Sequence, residues 1–156
     1  MSFVRTILAL VVGILLAYGL PWVLERVLVE SMAGRSLYTA GDYYAVRNTA
    51  GILAARLVMA VFLSVLAGHV AARVAGEDAV RTVAIAAAAL SIMLIWEFTG
   101  GEFAWATPIW MRITLVAITG PAMVLGAYVQ SAAAGLRAEH ATATGSVQKT
   151  GKAGRA

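Results

Sequence analysis

Two carboxylates on either side of a Gly-Gly pair are the residues best suited to do chemistry. Glu97 and Glu102 lie in the segment WEFTGGEFAW, residues 96–105, which ends at Trp105. Such a segment could be an outward-facing binding loop or lid in which the two acids serve as acid/base or cation-binding groups. It also fits an aromatic belt at the membrane interface with ordinary solvated acids. Both interpretations stay open, because two acids across a Gly-Gly are a weak catalytic signal.

A second pair of charges lies inside stretches that are otherwise apolar. Arg56 and Glu97 are each twenty positions from a turn centred at residues 76–77, so two antiparallel helices joined there bring them to the same level. The spacing predicts an interhelical ion pair between Arg56 and Glu97 within the bilayer. Two alternatives stay open: Glu97 pairs with Arg112, or both side chains reach up to the headgroup region independently.

A stripe of small residues follows one face of the second apolar stretch at four-residue intervals. Its members are Ala60, Ser64, Gly68, Ala72 and Gly76. Small side chains let two helix backbones approach closely, which in lipid replaces the missing hydrophobic drive for association. The alanine-rich stretch at residues 84–89 is a suitable neighbour. Ser64 and Ser91 fall at nearly matching levels and could hydrogen-bond across this interface.

The cysteine and histidine content excludes several chemistries. The chain has no cysteine, which excludes disulfides, thiolate nucleophiles and zinc–thiolate or iron–sulfur sites. Its two histidines are His69, near the end of an apolar run, and His140, in a polar tail. A haem held by two histidines within the bilayer would therefore need a second chain. We expect no cofactor and no metal.

The candidate residues are positioned by four apolar stretches of membrane-spanning length. The chain has 156 residues, of which 61% are hydrophobic and only 13% charged, and its mean hydropathy is +0.83. This pattern predicts an all-α, transmembrane four-helix bundle in residues 1–137, with spans at about 4–24, 49–75, 79–98 and 108–134. Residues 138–156 are rich in small and polar residues without periodicity, which predicts a disordered cytoplasmic tail.

The distribution of basic residues predicts the orientation. One side of the membrane collects Arg5, Arg73, Arg81, Arg137, Lys149, Lys152 and Arg155. The other side has Arg26, Arg35, Arg47 and Arg112, diluted by acidic residues. This favours a multi-pass protein of the cell (inner or plasma) membrane with both termini in the cytoplasm. The net charge of +4 is then a topology signal, and we expect no nucleic-acid partner.

The end of the second stretch carries a motif-like run. Residues 68–76, GHVAARVAG, resemble the GGYxAARIAG stretch that closes the second span in a group of small, uncharacterised four-span bacterial integral membrane proteins. Residues 108–110, Pro121 and Gly126 resemble the last span of the same proteins. The resemblance covers the second half of the chain. It implies the four-span fold and no particular activity.

Three classes of function are compatible with these residues. The first is a structural or accessory membrane protein that packs in the bilayer against itself, as a homo-oligomer, or against a larger membrane complex. The second is a small dimeric transporter or channel, for which such proteins usually place an acidic residue near the middle of the bilayer. The third is a membrane-embedded enzyme using Glu97, Glu102 or His69. The missing metal, phosphate-binding and nucleophile motifs favour the first.

Overall fold

Helices are the only regular secondary structure in the residues described by the computed structural model. It describes residues 3–37, 39–100 and 106–153, with the backbone alone for residue 77 and residues 138–153. The helices are α1 (Phe3–Ile14), α2 (Leu20–Ala33), α3 (Ala40–Arg47), α4 (Ala50–Ala75), α5 (Ala79–Gly100) and α6 (Ile109–Ala153). A π-helical turn, Leu15–Gly19, joins α1 to α2, and a 3-10 turn, Gly76–Asp78, joins α4 to α5.

Four helical segments are long and apolar enough to cross a membrane. They are Phe3–Ala33, Ala50–Ala75, Ala79–Gly100 and Ile109–Arg137. The predicted all-α fold class is therefore confirmed, and the chain is a multi-pass membrane protein. In lipid, such helices satisfy their own backbone hydrogen bonds, which is why continuous apolar stretches of this length fold as rods.

The first helical segment extends well past the predicted end of its span. The sequence predicts a span ending at Leu24, whereas α2 continues to Ala33 and stops at Gly34, whose φ of 65° is a left-handed conformation that glycine adopts without strain. Pro21 does not interrupt the segment, since it lies in the first turn of α2, where a missing N–H is tolerated. Glu25 therefore projects from a helix rather than from a loop.

The centre of the bundle is a close crossing of α4 and α6. A Cβ atom placed on Gly68 would lie 1.8 Å from the carbonyl oxygen of Met123, and one placed on Gly126 would lie 2.0 Å from that of Val65. No side chain fits at either position. Glycine on both helices thus allows backbone-to-backbone contact, as in membrane helix pairs with small residues at the interface.

At the point of closest packing between α4 and α6, the small-residue stripe of α4 consequently faces α6. The sequence predicts the alanine-rich third span as the neighbour, but α5 has no glycine before its last residue, so it cannot approach as closely as α6 does at Gly126. Ala60, Ser64, Gly68 and Ala72 are buried. Gly76 is exposed and forms the turn after α4, with a φ of 78°.

The core around this crossing is filled by small and flexible apolar side chains. The fully buried members are Ala9, Ala67, Val83, Ala86, Leu90, Met123 and Ala127. α1 contributes through Gly13, where an added Cβ would lie 2.6 Å from Met123 Cε. This packing leaves α1, α4, α5 and α6 in direct contact around one apolar core.

The two ends of the bundle differ in chemistry. The turn end carries Gly76–Asp78, and the exposed Arg73 and Arg81 lie beside it. The opposite end, called the charged end below, brings together Glu25 of α2, Arg47 of α3 and Thr107 before α6. Beyond Arg137, α6 continues to Ala153 through the segment in which the composition predicts disorder. Alanine and lysine favour helix there, and extending an existing helix avoids the cost of nucleation.

Candidate functional site

Glu25 is the centre of a buried ionic cluster at the charged end. Its Oε2 accepts a hydrogen bond of 2.6 Å from Arg56 Nε, and its Oε1 accepts hydrogen bonds from Arg47 Nε and, at 3.2 Å, from the Tyr43 hydroxyl. The side chains of Glu25, Arg47 and Arg56 are only 13%, 11% and 7% exposed. Two guanidinium groups thus share one carboxylate, which leaves the cluster with a formal charge of +1.

The cluster ties four parts of the chain together. α2 supplies Glu25, α3 supplies Tyr43 and Arg47, and α4 supplies Arg56. Arg47 Nη1 also donates a hydrogen bond of 2.6 Å to Thr107 Oγ1, which anchors α3 to the segment before α6. Hydrogen bonds to charged groups are the stronger ones when water is excluded, so this network positions α3 against the bundle.

Two polar side chains position the ends of α3. Thr39 caps its start, because Thr39 Oγ1 accepts a hydrogen bond of 3.2 Å from the Asp42 N–H. Just beyond its end, Asn48 Nδ2 donates a hydrogen bond of 2.7 Å to the Ala106 carbonyl. α3 therefore has a defined place, although its eight residues would be too few to form a stable helix alone.

Tyr43 is a neutral donor in this cluster. Burial, followed by the negative charge of Glu25, raises the pKa of the Tyr43 hydroxyl to about 12. The guanidinium carbon of Arg26 lies 5.3 Å from the centre of its ring, in a cation–π arrangement. Tyr43 consequently keeps its proton, and its hydrogen bond to Glu25, throughout the physiological pH range.

Glu97 has a different partner from the one predicted. Its Oε2 accepts a hydrogen bond of 2.9 Å from the hydroxyl of Tyr18, which lies in the π-helical turn. Glu97 forms no ion pair within the described part of the chain, so the predicted Arg56–Glu97 pair is wrong. The physical reason is the extension of α2, which brings Glu25 to Arg56. Arg56 and Glu97 nevertheless line the same cavity.

Arg112, the alternative partner of Glu97, is also bound elsewhere. Its Nε donates a hydrogen bond of 2.6 Å to the Thr107 carbonyl, and its Nη1 donates one of 3.2 Å to the Phe98 carbonyl. Phe98 lies in the last turn of α5, where a cation stabilises the unpaired carbonyls and the negative end of the helix dipole. Arg112 therefore caps the C-terminal end of α5 and does not pair with the Glu97 carboxylate.

A cavity of about 90 Å³ lies between these charges. Its charged lining residues are Glu25, Arg47, Arg56 and Glu97, its aromatic ones are Tyr18, Trp22 and Phe98, and its apolar ones include Ala17, Met59, Ala60 and Leu94. Arg56 Nη1 is buried and has no hydrogen-bond partner in the described structure. The volume is enough for several water molecules or for one small polar group.

A more open apolar groove adjoins the cavity. It has a volume of about 500 Å³ and is lined by Tyr18, Ile92, Met93, Trp96 and Glu97. Tyr18 and Glu97 line both spaces, and a hydrogen bond joins their side chains. The side chains of Ile92, Met93 and Trp96 are exposed on the outer surface of α5. The groove therefore runs along the face that contacts lipid.

The predicted serine contact is absent, and the other candidate residues are not brought together. Ser91 Oγ donates a hydrogen bond of 2.9 Å to Ala87 in its own helix, while the fully buried Ser64 Oγ has no partner. Ser91 faces α6 instead of α4, since a Cβ on Gly120 would lie 3.1 Å from its Oγ. Ser64 therefore has no serine within reach.

The acid/base candidates are separated or lie outside the described residues. His69 is thirteen residues from Arg56 on α4, a rise of about 20 Å, so it is far from the cavity. Glu102 and Trp105 lie outside the described residues. No group of three His, Asp or Glu residues in the described part of the chain could hold a metal ion.

Five residues of the site are not singled out by the sequence: Tyr18, Glu25, Tyr43, Arg47 and Thr107. Glu25 has a local signal, because the helical spacing of apolar residues continues past Leu24 into the predicted first loop. For the others, the partners lie 18 to 79 positions away along the chain, and no local pattern indicates them.

Comparison with known proteins does not add a relative. No protein-family model, no curated protein and no solved structure matches the chain. The geometry of the charged end therefore carries the functional argument.

Proposed function

We propose that the chain is a structural or accessory membrane protein. It packs against copies of itself or against a larger membrane complex and catalyses no reaction. The observation that carries this proposal is the closed interior of the bundle. Below the cavity, the fully buried side chains of Ala9, Ala67, Met123 and Ala127 fill the space between the helices. Such packing suits a rigid element better than a conduit.

The arrangement of charge supports the same role. Glu25 binds Arg47 and Arg56, and Arg112 binds backbone carbonyls, so most charges at the charged end are used to hold helices together. In membranes, polar contacts of this kind fix helix orientation and pairing. A network that spans α2, α3, α4 and the start of α6 fixes the relative positions of these helices. The bundle thus presents one constant outer surface to a partner.

We further propose that the protein lies in the cell (inner or plasma) membrane with both termini in the cytoplasm. Arg73 and Arg81 are exposed at the turn end, whereas Arg47 and Arg112 at the charged end have internal partners. Basic residues in short loops favour the cytoplasmic side. Cysteine introduced at Asp78 should react with an impermeant thiol reagent only after cell lysis, while cysteine introduced at Gly41 should react in intact cells. The reverse labelling would contradict this orientation.

The accessory role is tested by purification of the tagged full-length chain from native membranes in a mild detergent. We expect a stoichiometric membrane protein, or a second copy of the chain, to co-purify and to be cross-linked to the bundle in intact membranes. A monomer without a cross-linked neighbour at native expression would contradict the proposal.

A small dimeric transporter is the second candidate, and one observation favours it. The cavity at the charged end carries an arginine and a carboxylate, Arg56 and Glu97, that do not pair with each other. Transport would require a path through the packed half of the bundle. Substrate-dependent flux in proteoliposomes that disappears with Glu97→Gln, and persists with the surface control Glu30→Gln, would favour transport over the accessory role.

A further inference from the structure

The cavity at the charged end holds a buried cation and a carboxylate that do not satisfy each other. Arg56 is 7% exposed and its Nη1 has no hydrogen-bond partner. Glu97 lines the same cavity, accepts one hydrogen bond, from Tyr18, and forms no ion pair among the described residues. Buried polar groups normally have partners, because an unpaired one keeps the full cost of losing water. The cavity is therefore complementary to a ligand that offers a hydrogen-bond acceptor to Arg56 and a cationic hydrogen-bond donor to Glu97.

The formal charges of the cavity residues indicate the kind of ligand. Arg47, Arg56 and Glu25 together carry +1, and Glu97 carries −1. An anion without a cationic group would face Glu97, and a cation without an anionic group would face the two arginines. Unfavourable pairs of this kind discriminate against a partner. A zwitterion with a negative group at Arg56 and a positive group at Glu97 complements the charge of both residues.

The adjoining groove indicates that the zwitterion carries a hydrocarbon chain. The groove is lined mainly by Ile92, Met93 and Trp96, which are exposed on α5, and it shares Tyr18 and Glu97 with the lining of the cavity. A molecule with its polar part in the cavity and its apolar part in the groove would have the architecture of a membrane lipid. A free zwitterion would leave the groove unused.

We propose that the cavity and the groove together bind one phospholipid that bears a primary amine, such as phosphatidylethanolamine. Its phosphate lies toward Arg56, its ammonium donates hydrogen bonds to Glu97, and one acyl chain follows the groove. A primary ammonium has three N–H donors, as a lysine side chain does. A trimethylammonium group has none and is bulkier, which disfavours a choline headgroup in a cavity of about 90 Å³. This lipid site goes beyond the accessory role and does not depend on it.

The test is a competition between lipids for the purified full-length protein. Phosphatidylethanolamine, phosphatidylcholine and phosphatidylglycerol with identical acyl chains are mixed in equal amounts in detergent micelles, and the lipid that stays bound is counted by native mass spectrometry. We expect one retained phosphatidylethanolamine at about tenfold higher occupancy than either competitor, the size of one charge-assisted hydrogen bond. Glu97→Gln keeps an acceptor for Tyr18 but removes the charge, so it should abolish most of this preference.

A matched control separates the site from general lipid contact. Glu30 lies on the same helix as Glu25, pairs with Arg26 on the surface and does not line the cavity, so Glu30→Gln should keep the preference of the native protein. Size-exclusion chromatography shows whether each variant is folded. The selectivity of the native protein decides the proposal even if Glu97→Gln fails to fold.

Four results would overturn the proposal. Equal retention of the three lipids would mean that only the general lipid shell is bound. Preference for phosphatidylglycerol would indicate an anion site, and preference for phosphatidylcholine would remove the role of the amine. Binding of soluble glycerophosphoethanolamine as tightly as the intact lipid would indicate a site for a free zwitterion that makes no use of the groove.

Discussion

Glu25 Oε2 and Arg56 Nε are 2.6 Å apart, although their residues lie thirty-one positions apart in two different membrane-spanning segments. This contact joins the extension of the first helical segment to the interior of the second span. Because Arg47 binds the same carboxylate, removal of Glu25 would leave two buried guanidinium groups without the acidic partner that they share in the described part of the chain. The ionic cluster of the charged end therefore depends on Glu25.

We predict that Glu25→Gln lowers the free energy of unfolding by about 3 kcal/mol, the usual cost of breaking a buried ion pair from one side. The measurement is reversible unfolding in mixed detergent micelles, followed by helical circular dichroism. Glu30→Gln is the matched control, since the Arg26–Glu30 pair has side chains 56% and 30% exposed and such pairs contribute about 0.5 kcal/mol. Equal losses for the two variants would show that the Glu25 cluster is not a buried one.

Gly68→Ala should destabilise the protein severely. The new Cβ would lie 1.8 Å from the Met123 carbonyl oxygen, a backbone atom that can move only if α6 moves, so we expect a loss of about 3 kcal/mol or no folded protein. Gly51→Ala, in the first turn of the same helix, has no neighbouring atom within 4 Å and should be neutral or slightly stabilising. Comparable folded yields for both variants would contradict the close crossing of α4 and α6.

Ser64→Ala should leave the stability unchanged or raise it by about 1 kcal/mol. The Ser64 hydroxyl is fully buried and has no hydrogen-bond partner, so its replacement by hydrogen removes an unsatisfied polar group. Ser91→Ala serves for comparison, because the Ser91 hydroxyl is bound to the Ala87 carbonyl. Unfolding in the same detergent system measures both. A clear loss of stability for Ser64→Ala would indicate a partner for this hydroxyl.

The raised pKa of Tyr43 predicts a pH dependence in the alkaline range. In the unfolded chain the hydroxyl has a pKa of about 10.0, whereas burial and the charge of Glu25 raise it to about 12 in the fold. Between these values the folded state holds the proton and the unfolded state does not. The free energy of unfolding of the native protein should therefore fall, relative to Tyr43→Phe, as the pH rises from about 10 to about 12.

Phenolate absorbance provides the direct measurement for Tyr43. The difference between the native protein and Tyr43→Phe should show one hydroxyl that titrates near pH 12. Titration of this hydroxyl near pH 10 would mean that it is solvated and is not held in the cluster with Glu25.

The sequence contains enough information for the level of the charged residues but not for their partners. Counting residues from the turn at 76–77 predicts that Arg56 and Glu97 lie at the same height, and the two residues line one cavity. Which charges meet depends on the rotation of each helix about its axis and on how far the first segment extends. Neither follows from the spacing within one helix. The spacing therefore predicts Glu97 as the partner of Arg56, whereas the structure pairs Arg56 with Glu25.

Four membrane-length helices follow from the order of the amino acids alone, because hydrophobicity and helical rise are properties of consecutive residues and a lipid environment leaves few other folds. The contacts between helices follow from tertiary packing: Gly68 of α4 lies against the Met123 backbone and Gly126 of α6 against the Val65 backbone, two arginines share Glu25, and Glu97 binds Tyr18 beside a cavity. Those contacts join residues from 22 to 79 positions apart. They arise from the relative placement of whole helices, which no local pattern of residues encodes.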